Sequence, residues 1–341
     1  MLFVSYSHSA YNPLLSHQKI VAEKLNQIFP KFQVLTGQID KDDTSNLVVH
    51  NFNWKENQSI RNIVKYYISL TYVLIRYRPK TVFFHMTTVQ AAISAPFLRI
   101  LGINVYLWYA HKSDSVYLRI AHKFSNLVLT STTGSFPFAS TKLCPIGQMV
   151  DSSRFFLPIK EITERSKFIH IGRLDPSKHI EEIISIMTYY RQTKNKNCEL
   201  IFVGDAKSSK YSRRIGELLS SEQFGWVKVI KSIPNFQIVD YLSRSHVFIH
   251  AFQGSMDKSI IEATLVGLPV ITSNFEYQKT FGNWSNSDGH QISLKIELEN
   301  FEKIDLDSLH KELKRRQQIA LDKHSLSSWV KNIQRLIPDT Q

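Results

Sequence analysis

Between His250 and Ile271 the chain reads HAFQGSMDKSIIEATLVGLPVI, and its residue types suit an anion held at the start of a helix. Gly254, Ser255, Asp257, Lys258 and Ser259 lie between an apolar strand and a helix that opens Ile260, Ile261, Glu262, Ala263. A helix N-terminus offers unpaired N–H groups and the positive end of a dipole, so a phosphate is the expected guest. Glu262, one turn in, can accept hydrogen bonds from a pair of sugar hydroxyls. Upstream, HIGRLDPSKHIEEI (His170 to Ile183) puts Gly172, Arg173 and Lys178 on a loop between a strand and a helix. Two cations on one loop suit a diphosphate, because charge-assisted bonds neutralise a leaving group. IFVG, then Asp205, ends a strand at Gly204, a turn where backbone can approach a ligand closely. Combined, these residues describe a nucleotide-sugar pocket. Each has a plainer alternative: an Asp-Pro-Ser surface turn for Arg173 and Lys178, and for Glu262 a carboxylate complementing the helix dipole, worth about 0.3–1 kcal/mol.

Such a pocket needs elements that deliver loops to a common edge. Apolar strands alternate with helices at 3.6-residue spacing along the whole chain. In the first half, strands are expected at Leu2 to Ser5, Gln33 to Leu35, Asn46 to Val49, Thr81 to His85, Val105 to Tyr109, Leu127 to Thr130 and near Leu143. Helices are expected at Ser16 to Phe29, Ser59 to Arg78, Val89 to Leu101 and Ser115 to Phe124. Periodicity fades around 145–165, and 151–165 is the expected linker. It restarts with strands at Phe168 to Ile171, Leu200 to Val203, Val227 to Ile230, Val247 to His250 and Pro269 to Thr272. Helices at His179 to Tyr190, Arg213 to Leu219, Gln237 to Arg244 and Ser259 to Val266 alternate with them. Strands separated by helices imply parallel βαβ units. The expected architecture is α/β, with two Rossmann-like doubly wound domains facing each other across a cleft: 1–150 for an acceptor and 166–322 for a donor. A C-terminal helix at 323–341 could pack back on the first domain. The charged stretch Lys303 to Lys323 reads as a solvated helix.

With 341 residues, two domains are the default. Hydrophobic residues at 43% and charged residues at 21% are globular values, which exclude bulk disorder. No uncharged apolar run reaches the roughly 20 residues that span a bilayer. The nearest, Val82 to Leu98, is broken by His85, Thr87, Thr88, Gln90 and Pro96. Two cysteines, Cys144 and Cys198, form no framework, and MLFVSYSHSAY has no secretory pattern, so a cytoplasmic location is expected. The net charge of +13 is uneven: residues 1–150 hold 15 Lys/Arg against 6 Asp/Glu. That imbalance suggests an anionic surface as partner, or only a basic solvated surface. The helix Ser59 to Arg78 interleaves Arg61, Lys65, Arg76 and Arg78 with Tyr66, Tyr72 and Tyr77, a composition suited to an anionic leaflet at the inner face of the membrane, or to a core helix with basic edges. There is no G-x-G-x-x-G after the first strand, no P-loop, no zinc spacing and no G-x-S-x-G. Helix-turn-helix, zinc-finger and RNP signatures are absent too, so nucleic acid is not an expected partner.

In combination the motifs resemble the retaining glycosyltransferases of family 4 (glycosyl transferases group 1), with the GT-B fold. The G-R-L-x(4)-K loop at Gly172 to Lys178 is similar to that family's diphosphate-binding Arg and Lys. FVGD at Phe202 to Asp205 resembles its V-G-x-G strand end, and GSMDKSIIEATLVGLPVI its donor motif, with Glu262 as the second of two glutamates. WYAHKS at Trp108 to Ser113 resembles the segment carrying an acceptor-side histidine, here His111. The family pattern places its first glutamate eight positions before the second. Gly254 stands there, with Gln253 next to it. The glycine-rich first loop of the family is reduced to Ser5-Tyr6-Ser7-His8-Ser9.

The resemblance implies transfer of a sugar from a nucleotide-diphosphate sugar to an acceptor hydroxyl, with retention and without a metal or other cofactor. Arg173 and Lys178 would stabilise the departing diphosphate. Gly172, Gly204, Gly254, Ser255, Asp257, Lys258, Ser259 and Glu262 would hold the donor, and His111 would stand near the reacting centre. The implied acceptor is a saccharide or lipid-linked molecule of cell-surface polysaccharide, lipopolysaccharide or glycolipid assembly. A catalytically silent nucleotide-sugar-binding protein and a sugar-nucleotide epimerase of the same fold are the alternatives, the first prompted by Gly254.

Overall fold

A computed structural model of the chain describes residues 1–12, 15–40, 46–54, 59–206, 208–285 and 291–337. It divides into two compact units: Met1–Met149 together with the C-terminal stretch from Leu326, and Val150–Ser325.

The first unit is built on β1 (Leu2–Ser5), β2 (Gln33–Thr36), β3 (Val48–Asn51), β4 (Thr81–His85), β5 (Asn104–Trp108), β6 (Leu127–Thr130) and β7 (Leu143–Pro145). They form one sheet in the order β3-β2-β1-β4-β5-β6-β7, with every neighbouring pair parallel. Parallel strands need crossovers that bury both faces, which is why LFVS and TVFFH are buried along their whole length. Alternate residues sort to the two faces. Val4, Val82 and Leu107 share a core with Tyr66, Leu70, Ala91, Ala95 and Leu118, from the helices Ser59–Tyr77, Thr88–Ile100 and Val116–Phe124. Phe3, Phe83 and Trp108 face the helix Ser16–Asn26 and the C-terminal helix Leu326–Leu336. Trp329 of that last helix meets Trp108 edge-on at 5.5 Å, so the end of the chain completes the first unit.

The second unit carries β8 (Lys167–Ile171), β9 (Glu199–Val203), β10 (Val227–Ile230), β11 (Val247–His250) and β12 (Val270–Thr272). Their order is β10-β9-β8-β11-β12, again all parallel. Strand order reverses between β8 and β11, and in such sheets the ligand crevice lies beyond the carboxyl ends of the two strands at the reversal. The helix Lys258–Val266 follows β11 and stops where Gly267 takes φ +87°, a left-handed cap that a branched side chain would strain, two residues before Pro269.

Two expectations change. Residues 151–165 are part of the second unit, where Asp151 caps the short helix Ser152–Phe155 by accepting from Ser153 N–H. The charged stretch near 303–323 is not merely solvated. Its helix, Leu306–His324, buries Leu309, Leu313, Arg316, Gln317 and Ala320. Arg316 lies 3.8 Å from the Trp284 ring centroid, and Gln317 Nε2 donates to the carbonyls of Leu157 and Leu265. Long polar side chains there reach inward because partners wait for them.

Gly204, at the end of β9, has φ +153°, and a Cβ on it would stand 1.9 Å from the Gly172 carbonyl oxygen. The two strand-end turns therefore pack backbone to backbone. Gly204→Ala is expected to destabilise the second unit by more than about 1 kcal/mol. Gly216→Ala, in the helix Ser209–Leu219 with open space around the position, is expected to stabilise it by about 0.5–1 kcal/mol. Opposite shifts in thermal melting check this pair.

Candidate functional site

The carboxyl ends of β8 and β11 each carry a buried histidine. His170 donates its Nδ1–H to the Ile249 carbonyl at 3.0 Å and stacks against His250, ring centroids 5.8 Å apart. Burial, with His250 beside it, pulls the His170 pKa down to about 3, so the ring is neutral. Its Nε2 has no hydrogen-bond partner and lies 3.3 Å from where a Gly172 Cβ would stand. Burial also lowers the pKa of His250, against the pull of Asp257. The neutral His250 ring presents Nε2–H to Asp257 Oδ2 at 3.1 Å and accepts at Nδ1 from the Thr272 hydroxyl, also at 3.1 Å. Thr272 Oγ1 accepts in turn from Asn274 N–H. Asn274 Nδ2 donates to the carbonyls of Phe252 and Gly254, while its Oδ1 caps the helix Phe275–Phe281. A single chain of bonds thus fixes the loop after β11 from beneath.

Asp257 occupies the N-cap of the helix Lys258–Val266 but makes no side-chain capping bond. Its carboxylate is turned to Lys178, whose ammonium bonds Oδ2 and lies 3.5 Å from the Phe252 ring centroid. Lys178 arrives on the short turn Pro176–Lys178 and is buried. Burial opposes the charge on Asp257, but Lys178 and His250 overcome it and hold the carboxyl well below the usual range. Because Asp257 is occupied, the first N–H groups of the helix do not receive it, and a buried cation stands beside the positive end of the dipole. Arg173, on the same loop, bonds Asp175 at 3.2 Å with its side chain 34% exposed, so it can turn to a ligand.

One turn along, Glu262 is buried, and burial raises its pKa against the opposing influence of Lys258 and Asn235. Asn235 Nδ2 donates to Glu262 Oε1 at 3.2 Å, and Arg154 Nη1 donates to Asn235 Oδ1 at 3.0 Å. One carboxylate oxygen is therefore held by Asn235, which Arg154 in turn anchors. Burial lowers the Lys258 pKa to about 8, with Glu262 and Asp151 resisting.

Lys178, Asp257, Lys258 and Glu262 are thus brought together, with Ser255 buried on the same loop, Ser259 in the first helical turn, and Gly172 and Gly204 at the adjoining strand ends. Arg173 shares the loop and pairs with Asp175. His111 belongs to the first unit, after β5, where its Nδ1 accepts from Ser113 N–H at 2.9 Å and its ring meets Tyr109 edge-on. His250, Phe252, Thr272, Asn235 and Arg154 escape sequence reasoning. The available signal is the pair of strands FIHI and VFIH, each ending near a histidine and flanking the point of strand reversal.

Gly254 has a specific steric reason. A Cβ there would lie 2.0 Å from the tip of the Phe252 ring, so any side chain at this position requires the ring to leave Lys178. Among the described residues, no three His, Cys, Asp or Glu side chains converge as a metal site.

Residues 153–282 match the sequence model of the family described as Glycosyl transferases group 1. No curated protein sequence matches the chain. Among solved structures it is similar to Anabaena HepE in complex with UDP and glucose, at 14% identity over 98% of each chain and a TM-score of 0.74. Sucrose-phosphate synthase from Thermosynechococcus elongatus is similar at 14% identity over 98% of each chain, TM-score 0.73. WaaG, a glycosyltransferase involved in lipopolysaccharide biosynthesis, is similar at 12% identity over 99% of each chain, TM-score 0.66. These likenesses show the fold: the chain is α/β with two parallel-sheet Rossmann-like domains, as in GT-B enzymes.

Lys258 loses its positive charge as pH rises through about 8. Affinity for a nucleoside diphosphate is therefore expected to weaken across that range, where the ligand is already fully ionised. In Lys258→Arg, whose charge persists at all accessible pH, the decline should vanish. Titration calorimetry at several pH values checks both curves.

Proposed function

We propose that the chain is a glycosyltransferase that moves a hexose from a nucleotide-diphosphate sugar to an acceptor hydroxyl, with retained configuration and without a metal. One observation carries the reading: within the segment that matches Glycosyl transferases group 1, Lys178 is fixed by Asp257 and Phe252 at the start of the helix bearing Glu262. Lys178, Arg173 and the helix N–H groups oppose the charge that develops on the departing diphosphate. Lys178 and the helix N–H groups are in place before the donor arrives, and Arg173 turns in from Asp175. Glu262, steadied by Asn235, accepts hydrogen bonds from the ribose hydroxyls. Ser255, Ser259 and the backbone at Gly254 hold the phosphate or the donor sugar. His111 serves the acceptor side.

The acceptor is a saccharide or a lipid-linked molecule, met at the cytoplasmic face of the cell membrane during assembly of polysaccharide, lipopolysaccharide or glycolipid. The basic first half of the chain supports this location. No helix among the described residues is long and apolar enough to cross a membrane. HepE has been solved in complex with UDP-glucose, which makes UDP-sugars the first donors to try.

A second reading has an observation of its own. Where the resemblance implies a first glutamate, Gly254 leaves only the Phe252 ring, which supports a nucleotide-sugar-binding protein that does not turn over.

Transfer and hydrolysis assays over a panel of nucleotide sugars separate the two. The proposal expects turnover that falls at least about 100-fold in Arg173→Ala, Lys178→Ala and Glu262→Ala, with circular dichroism unchanged. Lys178→Ala also strips Asp257 of its cation and should melt lower, so Arg173→Ala is the cleaner arm. Wild-type turnover in all three would remove the site assignment. Donor binding without turnover on any acceptor would establish the silent binder, and product formed without acceptor an epimerase.

A further inference from the structure

The helix layer on one face of the first unit's sheet has an outer surface that the fold leaves uncovered. In the helix Ser59–Tyr77, Asn62, Tyr66, Leu70 and Val73 are buried and face the sheet. Ile60, Val64, Ile68 and Ile75 recur at spacings of four, four and seven residues, which aligns them in one stripe. They face outward: Ile60 is 81% exposed, Ile68 65% and Ile75 71%. Arg61, Lys65, Tyr72 and Arg76, at spacings of four, seven and four residues, form a parallel stripe about 100° round the helix. The neighbouring helix Thr88–Ile100, tied to the first where Tyr67 Oη donates to the Ile93 carbonyl at 2.7 Å, extends the apolar surface with Phe97 and Ile100, the latter 83% exposed. Residues 57–113, which contain both helices, include no Asp or Glu at all.

We propose that this face, with the Ile60–Ile75 stripe at its centre and Arg61 and Arg76 along its edge, seats on an anionic lipid surface. An aliphatic stripe bordered by cations is the pattern of a helix lying in the plane of a bilayer interface, its apolar residues among the acyl chains and its cations at the headgroups. The alternatives fit less well. A second copy would bring an acid-free cationic face against its own like, with no carboxylate in either helix to pair across the contact. A nucleic acid would pair with the cations but leave the isoleucines with nothing to bury against. The inference rests on the proposed function only for its purpose, which is to bring a membrane-borne acceptor to the enzyme. The surface itself is argued independently of the donor site.

The test is density-gradient flotation of the full chain with vesicles of phosphatidylcholine alone, or carrying about one-third phosphatidylglycerol. We expect co-flotation with the anionic vesicles only. The two variants, Ile68→Glu with Ile75→Glu, and Arg61→Gln with Arg76→Gln, replace exposed side chains and should each reduce it at least about 10-fold. Equal flotation with neutral vesicles, no flotation with either, or flotation unchanged in both variants would overturn the proposal. So would a concentration-dependent dimer, or RNA binding, that both variants abolish. Melting shifts with UDP-glucose, measured on the same variants, should match wild type. Failed flotation with an intact shift therefore counts against the lipid surface and leaves the donor site standing.

Discussion

The carboxyl end of the second unit's sheet depends on one carboxylate being shared. Asp257 begins a helix, yet its Oδ2 serves Lys178 from the loop after β8 and His250 from the end of β11. Sharing it ties the two strands at which the sheet's order reverses, and it does so where a parallel sheet opens its ligand crevice. It also withholds the usual cap from the helix. The result is a site whose positive character is built in: a buried ammonium, a helix N-terminus and Lys258, countered by a single firmly ionised acid and by Glu262. Below it, neutral His170 and His250 fill the strand ends without adding charge, since burial keeps both rings unprotonated.

Most of the fold is legible in the sequence for a physical reason. Strands of a parallel sheet are buried on both faces and read as short apolar runs, so LFVS, TVFFH and VFIH announce themselves. Helices between them carry a 3.6-residue pattern and end at punctuation such as Pro79 or Gly267. The helix Leu306–His324 escapes this logic because its inward residues include Arg316 and Gln317. Their burial makes sense only once Trp284 and the carbonyls of Leu157 and Leu265 are in place. Composition cannot reveal such partners, because they lie up to 160 residues away.

The site divides the same way. Lys178, Asp257 and Glu262 are visible as charged residues at element starts. Their arrangement is not, since Lys178 reads as a cation free for a ligand and proves to be half of a buried ion pair. Phe252 is invisible as a functional residue until its ring is seen against both Lys178 and the space above Gly254. The glycine is then no simple loss of a carboxylate. Its lack of a side chain leaves room for the Phe252 ring, which lies against Lys178 while Asp257 supplies the acid. Likewise Glu262 owes its orientation to Asn235 and Arg154, residues with no marking of their own in the sequence.

The central claim is that this end of the sheet is a preformed seat for a diphosphate. The most direct measurement compares melting shifts produced by the common nucleoside diphosphates with those produced by the corresponding nucleosides, since a ligand that binds only the folded state raises its melting temperature. The account predicts that at least one diphosphate raises it, that its parent nucleoside does so far less, and that added salt diminishes the difference. Equal shifts from a nucleoside and its diphosphate, or none from any diphosphate, would contradict it.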